Sequence, residues 1–402
     1  MKQNNNINFL FFNIKKLILP FTFLLFTICL VLFSNTNLTA AKNGLILWAS
    51  AVIPSLFPFF VATELLSNTN IVSFLGKHLN KIMRPLFNVP GEAAFAFVMG
   101  LISGYPVGAK IVSKFKEDGI CTKEEAERMI AFTNNSGPLF IIGTVGITLF
   151  GNSTIGILLF ITHFLSCITV GILLKYTSKP NISHIHSKKN VEQKKSINFS
   201  DLGEILGKSI TNSISTILMI GGFVVIFSVV ISILNQSHVF DLIYNIFSPI
   251  FNNLGISTEF IKPIFSGIIE LTNGVSLVSN VHVKEISINI IISAFLLGFG
   301  GISILLQVFS IIAKSGLSIK KYIIGKFAQG IIAAIYTYFA ITFIPFFNFD
   351  IKPVFSPVYS GLELPINIFG INNYFILFVL ICIFVYLIFH TRKKKNKSFL
   401  YK

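Results

Sequence analysis

The stretch that decides the fold runs from Val98 to Phe140, and each of its ends is an apolar segment broken by glycine, proline or amide residues. The first end reads VMGLISGYPVGAK over residues 98–110, and the second reads NNSGPLF over residues 134–140. Backbone that is broken at membrane depth is tolerated only where protein or a water-filled cavity satisfies its hydrogen bonds. The stretch therefore predicts a polar site that is buried between two membrane segments.

The whole chain has the composition of a polytopic membrane protein. Of its 402 residues, 53% are hydrophobic and only 12% are charged, whereas soluble domains carry about 25% charged residues. Its net charge of +16 comes from Lys and Arg between apolar runs, which is typical of cytoplasmic loops and not of nucleic-acid binding. The four cysteines lack metal-ligand spacing. We find no nucleophile–base triad, phosphate loop or zinc motif, so we expect no enzyme activity, metal or cofactor.

Hydropathy predicts an all-α membrane protein with about eight transmembrane helices, two re-entrant hairpins and both termini in the cytoplasm. The expected spans cover residues 17–33, 44–66, 129–150, 154–174, 210–234, 288–313, 322–347 and 373–390, and the expected hairpins cover 93–112 and 264–281. An alternative for the first run is a signal peptide that is cleaved near Ala41. A basic amphipathic helix is expected over residues 77–87, and a capping box at Thr122 and Glu125.

Cytoplasmic loops are expected where lysines cluster. One such loop covers residues 175–208, and a second contains Lys314, Lys320, Lys321 and Lys326. The first divides the chain into a membrane anchor and linker (1–43), a first repeat (44–175), the basic loop (176–208), a second repeat (209–347) and a C-terminal span with a basic tail (348–402).

The two repeats follow the same order of motifs. PLFN at residues 85–88 matches PIFN at 249–252, and Gly108 and Gly137 match Gly274 and Gly301. The first repeat is expected to begin outside and the second inside, so their topologies are opposite. Inverted repeats with paired broken helices are typical of secondary transporters, whose site lies where the breaks meet. The alternative is a bundle that needs these glycines only for close helix packing.

Polar residues of the breaks are the candidate substrate site. A helix that starts inside the membrane presents unpaired N–H groups, which suit a carboxylate. Lys110 is expected either to pair with a substrate anion or to extend to the cytoplasmic edge. Glu270 is expected to carry a coupling proton, bind a cation or pair with Lys110, unless its hairpin is shallow enough for it to reach water. Glu64 is treated as an ordinary interfacial charge.

The motifs of both repeats resemble the YlbJ (SpoVV) family of sporulation integral membrane proteins. They are SGYPVGAK at 103–110, NNSGPLF at 134–140, ELTNG at 270–274, and LGFGGIS at 297–303 with Gln307. One position departs from the pattern, since relatives often carry a His where this chain has residues 304–306. We expect the substrate-binding residues to be Ser103, Gly104, Tyr105, Gly108, Lys110, Asn134, Asn135, Ser136, Glu270, Thr272, Asn273, Ser303 and Gln307.

The resemblance implies a Gate (nucleoside-recognition) domain, similar in plan to concentrative nucleoside transporters, and a role in spore formation. That role is to move dipicolinate, a small organic anion, from mother cell toward forespore across the outer forespore membrane. Its two carboxylates would meet two helix N-termini while Tyr105 stacks on its ring. The alternatives are transport of a nucleoside or another metabolite, and a non-transporting scaffold of a spore-envelope complex. The expected partners are the bilayer, the substrate, and a second copy or other sporulation membrane proteins.

Overall fold

The structure is a computed structural model that describes residues 17, 19–176, 202–282 and 286–343. Within these ranges every regular element is a helix, so the all-α prediction is confirmed for them. They belong to one compact unit, and the division into two repeats stays a prediction. Most of the first lysine-rich loop, the end of the span expected at 322–347, the last expected span and the C-terminal tail lie outside the described residues.

The N-terminal part contains a sharp bend that the sequence analysis did not predict. Helix α1 (Leu19–Leu32) meets α2 (Ser34–Leu47) at an angle of 99°. A π-helical turn, Trp48–Val52, joins α2 to α3 (Ile53–Ser67). The span was expected to start at Gly44, but the helix that contains it already begins at Ser34. In the polar start of α2, hydroxyls such as Thr39 Oγ1 donate to the carbonyl one turn earlier and so are satisfied within the helix.

The next elements form the first broken hairpin. The expected amphipathic helix is α4 (Ile71–Phe87), which ends at Asn88 in the left-handed conformation. Helices α5 (Ala93–Ser103) and α6 (Val107–Glu117) are separated by Gly104 with φ of 79°. Gly104 suits this position because a residue without Cβ adopts positive φ at little cost.

The first interrupted span follows the hairpin. Helix α7 (Lys123–Thr133) begins with the predicted capping box, in which Thr122 and Glu125 bond each other's backbone N–H. Residues 134–137 are not helical. A π-helix, Leu139–Leu149, and α8 (Ser153–Tyr176) complete this half.

The second half repeats this order of elements. Its first members are α9 (Leu202–Gln236), α10 (Val239–Asn253) and a short 3-10 helix, Thr258–Phe260. The second hairpin consists of α11 (Ile261–Ile269) and α12 (Leu271–Ser279), which meet at Glu270 in an extended conformation.

The second interrupted span is formed by α13 (Ser287–Phe299) and α14 (Gly301–Ile312). Gly300 and Gly301 both have positive φ, at 85° and 83°, so the chain breaks there. A 3-10 turn, Ala313–Ser315, leads to α15 (Lys320–Phe343). Both expected hairpins and both expected interruptions are therefore present as helix–break–helix units.

The described residues contain four helices that are long and apolar enough to cross a membrane, or up to five if the bent pair of α1 and α2 is one span. These four are Ser153–Tyr176, Leu202–Gln236, Ser287–Ser315 and Lys320–Phe343. The chain is an integral membrane protein, and the expected number of eight spans stays a prediction.

Close backbone contacts hold each hairpin against an interrupted span. A Cβ on Gly108 would lie 2.4 Å from the carbonyl oxygen of Thr133, at the end of α7. A Cβ on Gly301 would lie 3.2 Å from the amide nitrogen of Leu271, where α12 begins. The residues at all four breaks are buried.

Candidate functional site

A fully buried lysine lies at the centre of the polar interior. Lys326 is in the second turn of α15 and is 0% exposed. Its ammonium donates to Asn135 Oδ1 at 3.2 Å and to Gln329 Oε1 at 2.8 Å, and Gln329 Nε2 donates to the same Asn135 oxygen at 3.1 Å. Lys326 was expected to mark a cytoplasmic loop. That expectation is wrong, because α15 begins at Lys320 and directs the Lys326 side chain toward Asn135 in the first interrupted span.

Two tyrosines surround the same ammonium. Lys326 Nζ lies 5.0 Å from the ring centre of Tyr105 and 5.8 Å from that of Tyr322, distances at which a cation is attracted to an aromatic face. The Tyr105 hydroxyl, at the tip of the first hairpin, points to the carbonyl of Leu297 in α13 at 3.5 Å. The hydroxyl of Ser136 is buried next to the Tyr105 phenol. The first hairpin and both interrupted spans thus converge here.

The N-termini of the second helix of each hairpin are capped by the protein's own oxygens. Asn134 Oδ1 accepts from the backbone N–H of Ala109 at 3.3 Å in α6, while its Nδ2 donates to the Tyr322 hydroxyl at 2.8 Å. Glu270 accepts from the N–H groups of Thr272 and Asn273 at 3.1 and 2.8 Å. Asn134 and Glu270 therefore already accept from N–H groups that were expected to bind the substrate carboxylates.

Lys110 pairs with Glu64 and not with Glu270. Its ammonium lies 2.6 Å from Glu64 Oε1 and 3.0 Å from Thr216 Oγ1. The interpretation of Glu64 as an ordinary interfacial charge is wrong, because this ion pair connects α3 to α6 in the first hairpin. Asn212 of α9 also contacts the pair, through Glu64 Oε2 at 3.4 Å.

The remaining expected site residues divide between the two halves. Ser103 bonds Thr63 at 2.9 Å, and Ser303 accepts from Gln307 at 3.4 Å within α14. Gly104 and Gly108 provide close backbone approach, since their added Cβ atoms would contact Gly137 and Thr133. The structure therefore brings Tyr105, Asn134, Asn135 and Ser136 together around Lys326. It contains no direct bond from Ser303 or Gln307 to that group among the described residues.

The sequence interpretation missed the contribution of α15. Tyr322, Lys326 and Gln329 were not assigned to the site, and all three are buried. A signal was available, because Lys326 and Gln329 are three residues apart and fall inside an expected span. Within the described ranges, no group of three or more His, Cys, Asp or Glu is placed to hold a metal ion.

Comparison with known proteins gives two kinds of match. The Gate family, described as nucleoside recognition, matches residues 49–173 and 217–348. Sporulation integral membrane protein YlbJ of Bacillus subtilis (strain 168) is 34% identical over 335 residues, which cover 80% of this chain and 82% of that protein. An uncharacterized protein of Alkalihalophilus pseudofirmus is 30% identical over 139 residues, covering 33% of this chain and 28% of that protein. No solved structure shows a significant match.

Proposed function

Because this chain belongs to the YlbJ family of sporulation integral membrane proteins and carries the Gate domain, we propose that it is a membrane transporter for a small organic anion in sporulation. It is not an enzyme in this proposal. Its role is to bind the anion between the broken helices and release it on the other side of the membrane.

The buried side-chain amine of Lys326 is the observation that carries the proposal. It has neutral hydrogen-bonding partners, and none of the ion pairs among the described residues includes it. A charge at membrane depth without a counter-ion is costly. A substrate carboxylate bound beside Lys326 supplies that counter-ion, which favours an anion over a neutral ligand.

The recurring order of elements supports transport. In each half a span and an amphipathic helix precede a broken hairpin and an interrupted span. We interpret the halves as inverted repeats, whose broken helices form the site in secondary transporters. A non-transporting scaffold has no need for a buried cation where broken helices converge.

Dipicolinate is the substrate that we propose. It is a planar dianion, so one carboxylate can meet Lys326 while its ring lies against Tyr105. The protein would lie in the outer forespore membrane, with both termini in the cytoplasm, and move dipicolinate from mother cell toward forespore. Transport in this proposal requires no protein partner. A second copy of the chain and other sporulation membrane proteins are the candidate partners in the same membrane.

Dipicolinate content of spores tests the proposal. A strain that lacks the chain should form spores with little dipicolinate, and the natural chain should restore it. Lys326→Met should fail to restore it while reaching the membrane in normal amounts, whereas Lys320→Met, at an exposed position of the same helix, should restore it. Normal dipicolinate in the deletion strain with defective spore envelopes would refute transport and favour the scaffold.

A nucleoside is the second candidate, because the Gate family is described by nucleoside recognition. The amides of Asn135 and Gln329 are suited to hydrogen-bond a base or a ribose. Competition distinguishes the two substrates. Excess uridine should leave dipicolinate transport unchanged if the anion is the substrate.

A further inference from the structure

The side chain of Gln329 connects Lys326 of its own helix to Asn135 of the first interrupted span. Gln329 is 0% exposed and lies nearly one turn after Lys326 along α15. Its Oε1 accepts from Lys326 Nζ at 2.8 Å, and its Nε2 donates to Asn135 Oδ1 at 3.1 Å. The same Asn135 oxygen accepts from Lys326 Nζ at 3.2 Å. The three side chains thus form a closed ring of hydrogen bonds.

The direction of each bond in this ring is fixed by its neighbours. Asn135 Nδ2 donates to the carbonyl of Phe132 at 2.7 Å, so Asn135 presents its oxygen to the ring. That oxygen requires the N–H side of the Gln329 amide, which leaves the Gln329 oxygen for the Lys326 amine. The reverse orientation of Gln329 would direct its N–H groups toward another donor.

Close packing holds the backbone that carries Gln329. A Cβ added to Gly298 of α13 would lie 2.7 Å from the Cα of Gly330 and 2.9 Å from the carbonyl carbon of Gln329. Helices α13 and α15 are therefore in backbone contact at this point. Because the second interrupted span packs against this part of α15, the Gln329 amide has a defined position in the site.

Both side chains that accept hydrogen bonds from the Lys326 amine, in the part of the chain that the structure describes, are neutral amides. A glutamate in place of Gln329 would have the same length and shape, so space alone does not require an amide. Its carboxylate would form a charge-assisted bond with the amine and act as its counter-ion. The Gln329 amide instead holds the amine without supplying a negative charge.

We propose that Gln329 is a positioning and specificity-determining residue of the substrate site. Its amide holds the Lys326 amine beside Asn135 and leaves the role of counter-ion to the ligand. An organic acid is therefore bound in preference to a neutral molecule of the same shape. The inference rests on the proposed function and adds the residue that determines the charge of the substrate.

The contrasting interpretation is that Gln329 only satisfies the hydrogen bonds of a buried lysine. In that case a substitution changes stability, and it changes the affinities for charged and neutral ligands by the same factor. In our proposal Gln329→Glu acts selectively on the charged ligand, because the new carboxylate pairs with Lys326 and repels the carboxylate of the ligand.

Binding to the purified full chain tests the inference. Radiolabelled dipicolinate and radiolabelled pyridine-2,6-dimethanol, a neutral diol of the same shape, are titrated against the natural protein, Gln329→Glu and Gln329→Met. Asn253→Asp, at an exposed position of α10, is the control for an added negative charge. Uridine binding and the unfolding temperature of each empty protein are measured in the same buffer.

We expect Gln329→Glu to weaken dipicolinate binding about tenfold or more and to change the affinity for the diol by less than about threefold. Gln329→Met removes both hydrogen bonds of the amide but adds no charge. It should weaken dipicolinate binding about three- to tenfold, while dipicolinate remains preferred over the diol. Asn253→Asp should bind both ligands as the natural protein does.

A Gln329→Glu protein that keeps the natural preference for dipicolinate over the diol overturns the inference and leaves the proposed function intact. Equal dipicolinate affinity of Gln329→Met and the natural protein overturns the positioning role, whether or not Gln329→Glu folds. A natural protein that binds uridine or the diol but no dipicolinate overturns the proposed function itself.

Discussion

Gly108→Ala should destabilise the protein, because Gly108 is where the first hairpin contacts the end of α7. The new Cβ would lie 2.4 Å from the carbonyl oxygen of Thr133 and 2.8 Å from the Cα of Asn134, whereas ordinary contacts begin at 3.4 Å. The two backbones must therefore separate by about 1 Å, an overpacking that costs about 1–3 kcal/mol.

The same separation affects a hydrogen bond. The bond from the Ala109 N–H to Asn134 Oδ1 is already 3.3 Å long, and a further separation of about 1 Å breaks it at a cost of about 1 kcal/mol. Gly108→Ala should therefore lower the free energy of unfolding by about 2–4 kcal/mol.

The assay is denaturant titration of the detergent-purified protein, with Gly222→Ala as the matched control. Gly222 also lies in a helix, α9, and a Cβ there has nothing within 4 Å, so alanine should be neutral or stabilise by up to about 1 kcal/mol. Equal stability of the two variants would refute the close contact between the first hairpin and the end of α7. Gly108 would then be interpreted again as a residue that contacts the substrate.

Three further predictions concern the polar groups around the site. Glu270→Ala should lower the free energy of unfolding by about 1–3 kcal/mol because two N–H groups of α12 lose their acceptor, and Glu270→Gln should lose about half of that; equal stability of all three proteins would contradict the capping role. A double-mutant cycle with Glu64→Gln and Lys110→Met should give a coupling energy of about 1 kcal/mol, and additive effects would show that the pair contributes nothing. Burial raises the pKa of the Cys121 thiol to about 12, so at pH 8 the protonated thiol should resist N-ethylmaleimide until the protein is unfolded; labelling of the folded protein at Cys121 would contradict this.

The sequence predicted the positions of the helix breaks because local chemistry determines them. Gly104 and Gly300 permit positive φ, and Glu270 caps the helix that follows it, so each break is visible in a short window of sequence. The capping box at Thr122 was predicted for the same reason. The bend of 99° between α1 and α2 was missed, because a hydropathy profile registers apolar length and not the direction of a helix.

The composition of the site was only partly predictable, because its contacts join distant parts of the chain. Lysine clusters indicate cytoplasmic loops on average, and that rule assigned Lys326 to a loop although it lies within a span. Glu64 and Lys110 pair across separate elements. Helix N-termini were expected at the breaks. The sequence analysis did not consider that Asn134 and Glu270 would cap α6 and α12 and so compete with an anion for their N–H groups.

Uptake into liposomes is the most direct test of the claim that an organic anion binds at the buried ammonium. The purified chain is reconstituted, and entry of radiolabelled dipicolinate is measured for the natural protein, Lys326→Met and Lys320→Met. Replacing a buried charge by an apolar residue of similar volume often leaves a protein as stable as before, so the inserted amount should be equal. We predict uptake by the natural protein and Lys320→Met that exceeds empty liposomes, and none by Lys326→Met. Equal uptake by Lys326→Met and the natural protein would contradict the account.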